Sequence, residues 1–214
     1  MSSVLNDIRR KLAARVVPAV ALVATSLAIA GCGGTGGPSA SGSTGSRFDG
    51  ISASGLTAPN FTLHDQSGAL VKLSSERGRY VLLTFLYVHC RNVCPIIADQ
   101  LNDALRELGP ARSDVRVLAI SVDPKGDTPA AVHHFITVHH LLPQFLYLTG
   151  TAAALKPVWH DYHIASTPTR TGLVVGHTAL EILLDRSGRP RLLYDSHVTA
   201  HAVVHDLRAL GLET

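Results

Sequence analysis

Tyr80-Val81-Leu82-Leu83-Thr84-Phe85-Leu86-Tyr87-Val88-His89-Cys90-Arg91-Asn92-Val93-Cys94-Pro95 is the stretch on which the reading turns. Its first eight residues form a continuous, β-rich apolar run, the pattern of a strand buried on both faces. Residues 95–109 then carry Ile96, Ile97, Leu101, Ala104, Leu105 and Leu108 at helical spacing, with Pro95 tolerated in the first turn. Two cysteines therefore sit where a central strand hands over to a helix. Open α/β sheets place their sites there, beyond the carboxyl ends of strands. Unpaired N–H groups at a helix start favour anions and so lower a thiol's pKa. A separation of four turns both sulfurs to one side if that turn is helical. Converging thiolates have two uses: they bind a soft metal such as Cu(I), or they cycle between dithiol and disulfide. A structural disulfide across so short a loop removes little chain entropy, and two inert buried thiols are the other bland alternative.

Working outward, Phe61–His64 and Ala69–Leu73 flank the turn Asp65-Gln66-Ser67-Gly68 and predict an N-terminal hairpin. Val115–Val122 is a second buried strand. Asp127-Thr128-Pro129 is a helix-start signal for a helix to about Val138. Phe145–Leu148 is a third strand and Thr151 opens another helix. Thr178–Leu184, Asp185-Arg186-Ser187-Gly188 and Arg191–Tyr194 spell a late β-hairpin, and an amphipathic helix over about 197–210 closes the chain. Strand–helix–strand units with a terminal hairpin predict an α/β three-layer sandwich.

The chain has 214 residues, with 46% hydrophobic and 16% charged, which excludes wholesale disorder. Its formal charge of +3 is local. Arg9, Arg10, Lys11 and Arg15 precede the apolar run Val16–Ala30, and without residues 1–31 acids and bases balance at fifteen each. A nucleic-acid partner thus lacks an electrostatic basis. A basic segment, a fifteen-residue apolar run and small residues form a secretory signal, the run being short for a membrane span. Ile29-Ala30-Gly31-Cys32 resembles the lipobox of bacterial lipoproteins, which implies lipidation at Cys32. Residues 1–31 are therefore expected to be a signal peptide and 32–56 a Gly/Ser-rich tether. The folded domain is expected over 57–214, exported and lipid-anchored to a bacterial membrane on its extracytoplasmic side.

Three ordered blocks resemble the Sco/SenC family: Cys90-x-x-x-Cys94-Pro95 after Thr84-Phe85-Leu86-Tyr87; Ser121-Val122-Asp123-Pro124 with Asp127-Thr128-Pro129; and Val175-Gly176-His177-Thr178 with Leu184-Asp185-Arg186-Ser187-Gly188. The resemblance covers roughly residues 57–210. It implies a thioredoxin-like fold, copper (Cu(I) or Cu(II)) as the bound ion, and Cys90, Cys94 and His177 as its ligands. It also implies a role in building the CuA centre of cytochrome c oxidase, with subunit II or another copper protein as partner. The chain departs from the family pattern with Arg91-Asn92 after the first cysteine and Gly176 before the histidine. Loss of that acid removes a nearby negative charge. Arg91 is expected to favour the thiolate beside it.

Other histidines carry weaker signals. His89 is expected to point away from Cys90 if the strand continues through it. His197, His201 and His205 recur every four residues and are expected on an exposed helical face. His133, His134, His139 and His140 are expected at a solvated surface, and Asp123 to orient a loop beside the site. Three functions follow: a metallochaperone, which is favoured; a thiol–disulfide oxidoreductase acting on the acceptor through Cys90 and Cys94; and a copper-sequestering protein.

Overall fold

The computed structural model describes residues 47–168 and 174–213. The expected signal peptide over 1–31, Cys32 and the tether as far as residue 46 lie outside the described residues. Strands β4 (Tyr80–Leu86), β5 (Val115–Ser121) and β6 (Phe145–Leu148) run parallel at the centre of the sheet. Every residue of β4 is buried, as its unbroken apolar run predicts. Beyond β4, the hairpin β9 (Glu181–Leu184) and β10 (Pro190–Tyr194) pairs antiparallel, completed by β1 (Ile51–Ser52) at the edge. The six-stranded order is β1-β10-β9-β4-β5-β6.

Helix α1 (Val93–Glu107) follows β4, α2 (Pro129–Val138) follows β5, α3 (Ala152–Asp161) follows β6, and α4 (Ala200–Ala209) ends the fold. Thr128, Thr151 and Thr199 start the last three by accepting an N–H three residues on. α1, α2 and α4 share one face. His139, just beyond α2, meets Asp99 of α1 at 2.8 Å, and Gln100 accepts the Ala200 N–H. The other face is covered by α3 and the hairpin of β2 (Thr62–His64) and β3 (Leu70–Lys72), where Tyr162 packs on Phe85 and Phe61. This is the three-layer α/β sandwich. Its core is closed within the described residues, from Ala53 to Leu212.

Two features depart from the sequence reading. The folded region starts earlier than residue 57. Ile51 and Ser52 pair with Leu193 and Leu192. The fully buried Asp206 accepts the N–H groups of Asp49 and Gly50 and the Tyr194 hydroxyl. Gly50 lies against Tyr194, where a Cβ would come within 2.9 Å of the ring. Glycine is thus required there for close packing, whereas composition alone reads it as tether. The second is an additional hairpin, β7 (Ser166–Pro168) with β8 (Val174–His177), which lacks an apolar alternation to announce it. Among the described residues, no helix is long and apolar enough to cross a membrane.

Candidate metal centre

The site forms at the carboxyl ends of β4 and β5. β4 stops at Leu86, and Tyr87–Asn92 turns into α1, so Cys94 occupies the first helical turn and Cys90 precedes it. Asn92 stands at the N-cap without a side-chain bond; instead the Cys90 sulfur accepts the Cys94 N–H at 3.4 Å. One N–H left over by the helix start thereby meets a sulfur. Both cysteines are free thiols and buried.

The two sulfurs are not equivalent. The Cys94 thiol donates to Cys90, and the amides of Asn92 and Cys94 with the Tyr87 hydroxyl add to it, bringing Cys90 down to about 5 against the cost of burial. The same bond and burial push Cys94 well above the ordinary thiol range. Cys90 is therefore the thiolate and Cys94 the proton holder. Sequence reasoning assigned that stabilisation to Arg91, but the Arg91 side chain is exposed and the groups named above do the work. Tyr87 is pushed up to about 12 by burial and by Cys90.

His177 completes the cluster from the end of β8. Its Nε2 lies 3.4 Å from the Cys94 sulfur, while Nδ1 is 2.7 Å from the Thr178 carbonyl. A carbonyl only accepts, so Nδ1 carries the proton and the Nε2 lone pair faces the sulfur. The ring stands edge-on to Tyr87, centroids 5.6 Å apart. Burial lowers the His177 pKa, which keeps the ring neutral. Gly176 has open space where a Cβ would go, so packing does not forbid an acid there.

The loop after β5 braces this cluster. Asp127 is buried; one oxygen accepts the Val88 N–H at 2.9 Å, and the other accepts the Ser121 and Tyr147 hydroxyls at 2.6 and 2.9 Å. Burial raises its pKa to about 6 despite those three donors. Asp123 accepts the Gly126 N–H and is buried, and a Cβ at Gly126 would overlap its carboxylate. The expected loop-orienting role of Asp123 is thus shared with Asp127. From the sequence, Asp127 is a helix-start signal and Tyr87 a strand end, both within the family blocks but with no role of their own at the site. A polar residue within three positions of Cys90 on an otherwise apolar run was the available clue for Tyr87.

The remaining histidines fall elsewhere. His89 lies past the end of β4, so strand alternation does not govern it; it is exposed and lines a shallow groove with Cys90, Pro95 and Val138. His197 precedes α4 rather than sharing its face, and His201 and His205 are exposed. His133, His134 and His140 are exposed, whereas His139 is half-buried against Asp99 and Phe135.

A thioredoxin-like sandwich with two thiols and one imidazole at the strand ends defines a class of soft-metal or redox proteins. The family model described as SCO1/SenC matches residues 50–211. The chain belongs to the SCO1/SenC family. It is 32% identical to ScoI of Bradyrhizobium japonicum, solved with copper bound, covering 72% of this chain and 98% of that one with a TM-score of 0.63. Apo Sco1 of Thermus thermophilus is 30% identical, with coverage of 76% and 96% and a TM-score of 0.66. The bovine mitochondrial SCO2 homolog is 35% identical over 107 residues, 49% of this chain and 40% of that protein.

Proposed function

We propose that Cys90, Cys94 and His177 bind copper and pass it to, or prepare, the CuA centre of cytochrome c oxidase, the domain being held at a membrane through Cys32. The donor set fits the ion. Thiolates suit Cu(I), and an imidazole suits either oxidation state. The carrying observation is the 3.4 Å approach of Nε2 to the Cys94 sulfur, with the ring's other nitrogen held by Thr178. That second bond fixes the ring before any ion arrives. Transfer then proceeds by exchanging these ligands for an acceptor's cysteines. Family membership supports the oxidase role, and the Bradyrhizobium relative's bound copper supports the cargo.

Copper titration with EPR on the wild type and on His177→Ala tests this reading. One tight copper per chain, with an altered Cu(II) signal in the variant, is the expected result. Reduced protein with intact thiols that ignores copper would sink it.

The unequal thiols favour one second reading, thiol–disulfide exchange. The Cys90 thiolate attacks an acceptor disulfide, forming a mixed disulfide and releasing one acceptor thiolate. Cys94 gives up its proton and attacks Cys90, releasing the second thiolate. Two electrons pass to the acceptor and a Cys90–Cys94 disulfide remains. This activity survives His177→Ala, and Cys94→Ser traps the mixed disulfide.

A further inference from the structure

The folded domain is nearly neutral, but its charges are sorted along the strand axis. The sheet end opposite the cysteines contains the starts of β4 and β5, the β9–β10 turn, and the last turns of α1 and α4. Arg77 and Arg79 lead into β4, Arg112 precedes β5 and Arg116 is the second residue of β5. Arg186 and Arg189 lie in the β9–β10 turn, Arg191 is the second residue of β10, and Arg208 lies in the last turn of α4, whose Ala209 carbonyl accepts from Arg47. Glu76, Asp114 and Asp185 each already face an arginine. Among the described residues Arg77, Arg112, Arg189 and Arg208 have no paired carboxylate, against Glu107 and Glu213 in the same condition. The cysteine loop and the loop after β5, by contrast, contribute only Arg91 and Lys125.

A groove of about 1130 Å³ opens at this end, lined by Arg77, Arg189 and Arg191 together with Phe48, Leu56 and Leu210. Asp185 is the single carboxylate among its lining residues, and Arg191 engages it. Leu56 is 53% exposed, and Ile51 on the adjoining edge strand is 71% exposed. Arginines beside exposed aliphatic side chains suit a surface that is both anionic and greasy.

We infer that this arginine-bearing end is a docking surface for an anionic phospholipid membrane, holding the dithiol end away from the bilayer. The choice of membrane over another polyanion rests on the anchor proposed at Cys32. Fourteen residues lie between Cys32 and Arg47, a reach of at most about 50 Å. Arg47 itself lies at the arginine end, so the anchor would keep that end near lipid headgroups.

The test uses residues 44–214, a compact unit with its own core and without the anchor, so its outcome is independent of both lipidation and copper binding. Co-sedimentation compares vesicles of neutral phosphatidylcholine with vesicles containing about 30% phosphatidylglycerol. The unit should partition to the anionic vesicles alone and be released by about 0.5 M salt. Combined Arg77→Glu, Arg189→Glu and Arg191→Glu should weaken partitioning on the order of a hundredfold or more. Because these side chains are exposed, folding is checked by circular dichroism, and Arg77→Gln with Arg189→Gln gives a milder second arm that should weaken partitioning about tenfold. Equal binding to both vesicle types overturns the inference. So does indifference to these substitutions, or retention on duplex DNA at a salt concentration where the vesicles are ignored.

Discussion

At the carboxyl ends of β4 and β5 the polar groups face inward and share partners: Cys90 with Cys94 and Tyr87, Asp127 with three donors, His177 with Thr178. At the opposite end the side chains of Arg79, Arg186 and Arg191 stay exposed while each meets a carboxylate. Buried groups in low dielectric shift one another's pKa values and fix one another's orientation; exposed charges do neither strongly. One end is thus suited to holding a single ion or a reactive thiol, and the other to contact with a charged surface. The same net-neutral composition conceals both.

The largest effect that would break this contrast is loss of copper. Cys90→Ser or Cys94→Ser is expected to weaken Cu(I) binding by about a thousandfold or more, since a hydroxyl replaces a soft thiolate. The triple arginine reversal should leave it unchanged. Competition against a Cu(I) chelator measures both.

Next comes Glu181, wholly buried between the ends, with Thr84 Oγ1 3.4 Å from Oε1 and, among the described residues, no hydrogen-bond partner for Oε2. Burial raises its pKa to about 8 from an ordinary 4.5. A raised folded value means the fold favours the protonated acid. Its contribution to stability is complete below the unfolded pKa and is lost as pH rises towards 8. The wild type should therefore lose on the order of 3 kcal/mol between pH 5 and 8, and Glu181→Gln should flatten that slope. Urea unfolding at both pH values decides it.

The thiol asymmetry gives a sharper but smaller signal. Alkylation of Cys90 in the folded protein should show a midpoint near pH 5, with Cys94 unreactive until the chain is unfolded, when both titrate near 9. Mass spectrometry of peptides labelled across pH resolves the two. A shared midpoint near 9 in the folded state would remove the distinction between nucleophile and proton holder.

The smallest effect belongs to the exposed end. Arg186 pairs with Asp114 at 2.8 Å and lies over the Tyr80 ring at 5.3 Å. Arg186→Ala should cost under about 1 kcal/mol in chemical denaturation, as exposed pairs do. A larger loss would mean that this end also contributes to the fold's rigidity.

The central strands, the strand–helix junction carrying both cysteines, and the late hairpin were legible in the sequence, because long apolar runs and helical spacing are local signals. The meeting of His177 with Cys94 was legible only through family resemblance, since no local pattern spans 83 residues. β1 was hidden because two residues at a sheet edge, next to a Gly/Ser-rich segment, carry no periodicity. Tyr87, Asp127 and Glu181 were not picked out as buried functional groups for a different reason. Their importance comes from what surrounds them in three dimensions, and a carboxylate at a helix start or a tyrosine at a strand end reads as ordinary.

The Asp206 carboxylate grips the backbone at Asp49 and Gly50, just where the chain enters the fold. Any mechanical pull exerted from upstream must break the Arg47 bond to the Ala209 carbonyl, then those two bonds, and then unzip the two-residue edge strand. β4, which leads to Cys90, lies further in, beyond β10 and β9. Strain that enters at the first residues of the fold is thus met at the edge of the sheet, away from Cys90, Cys94 and His177.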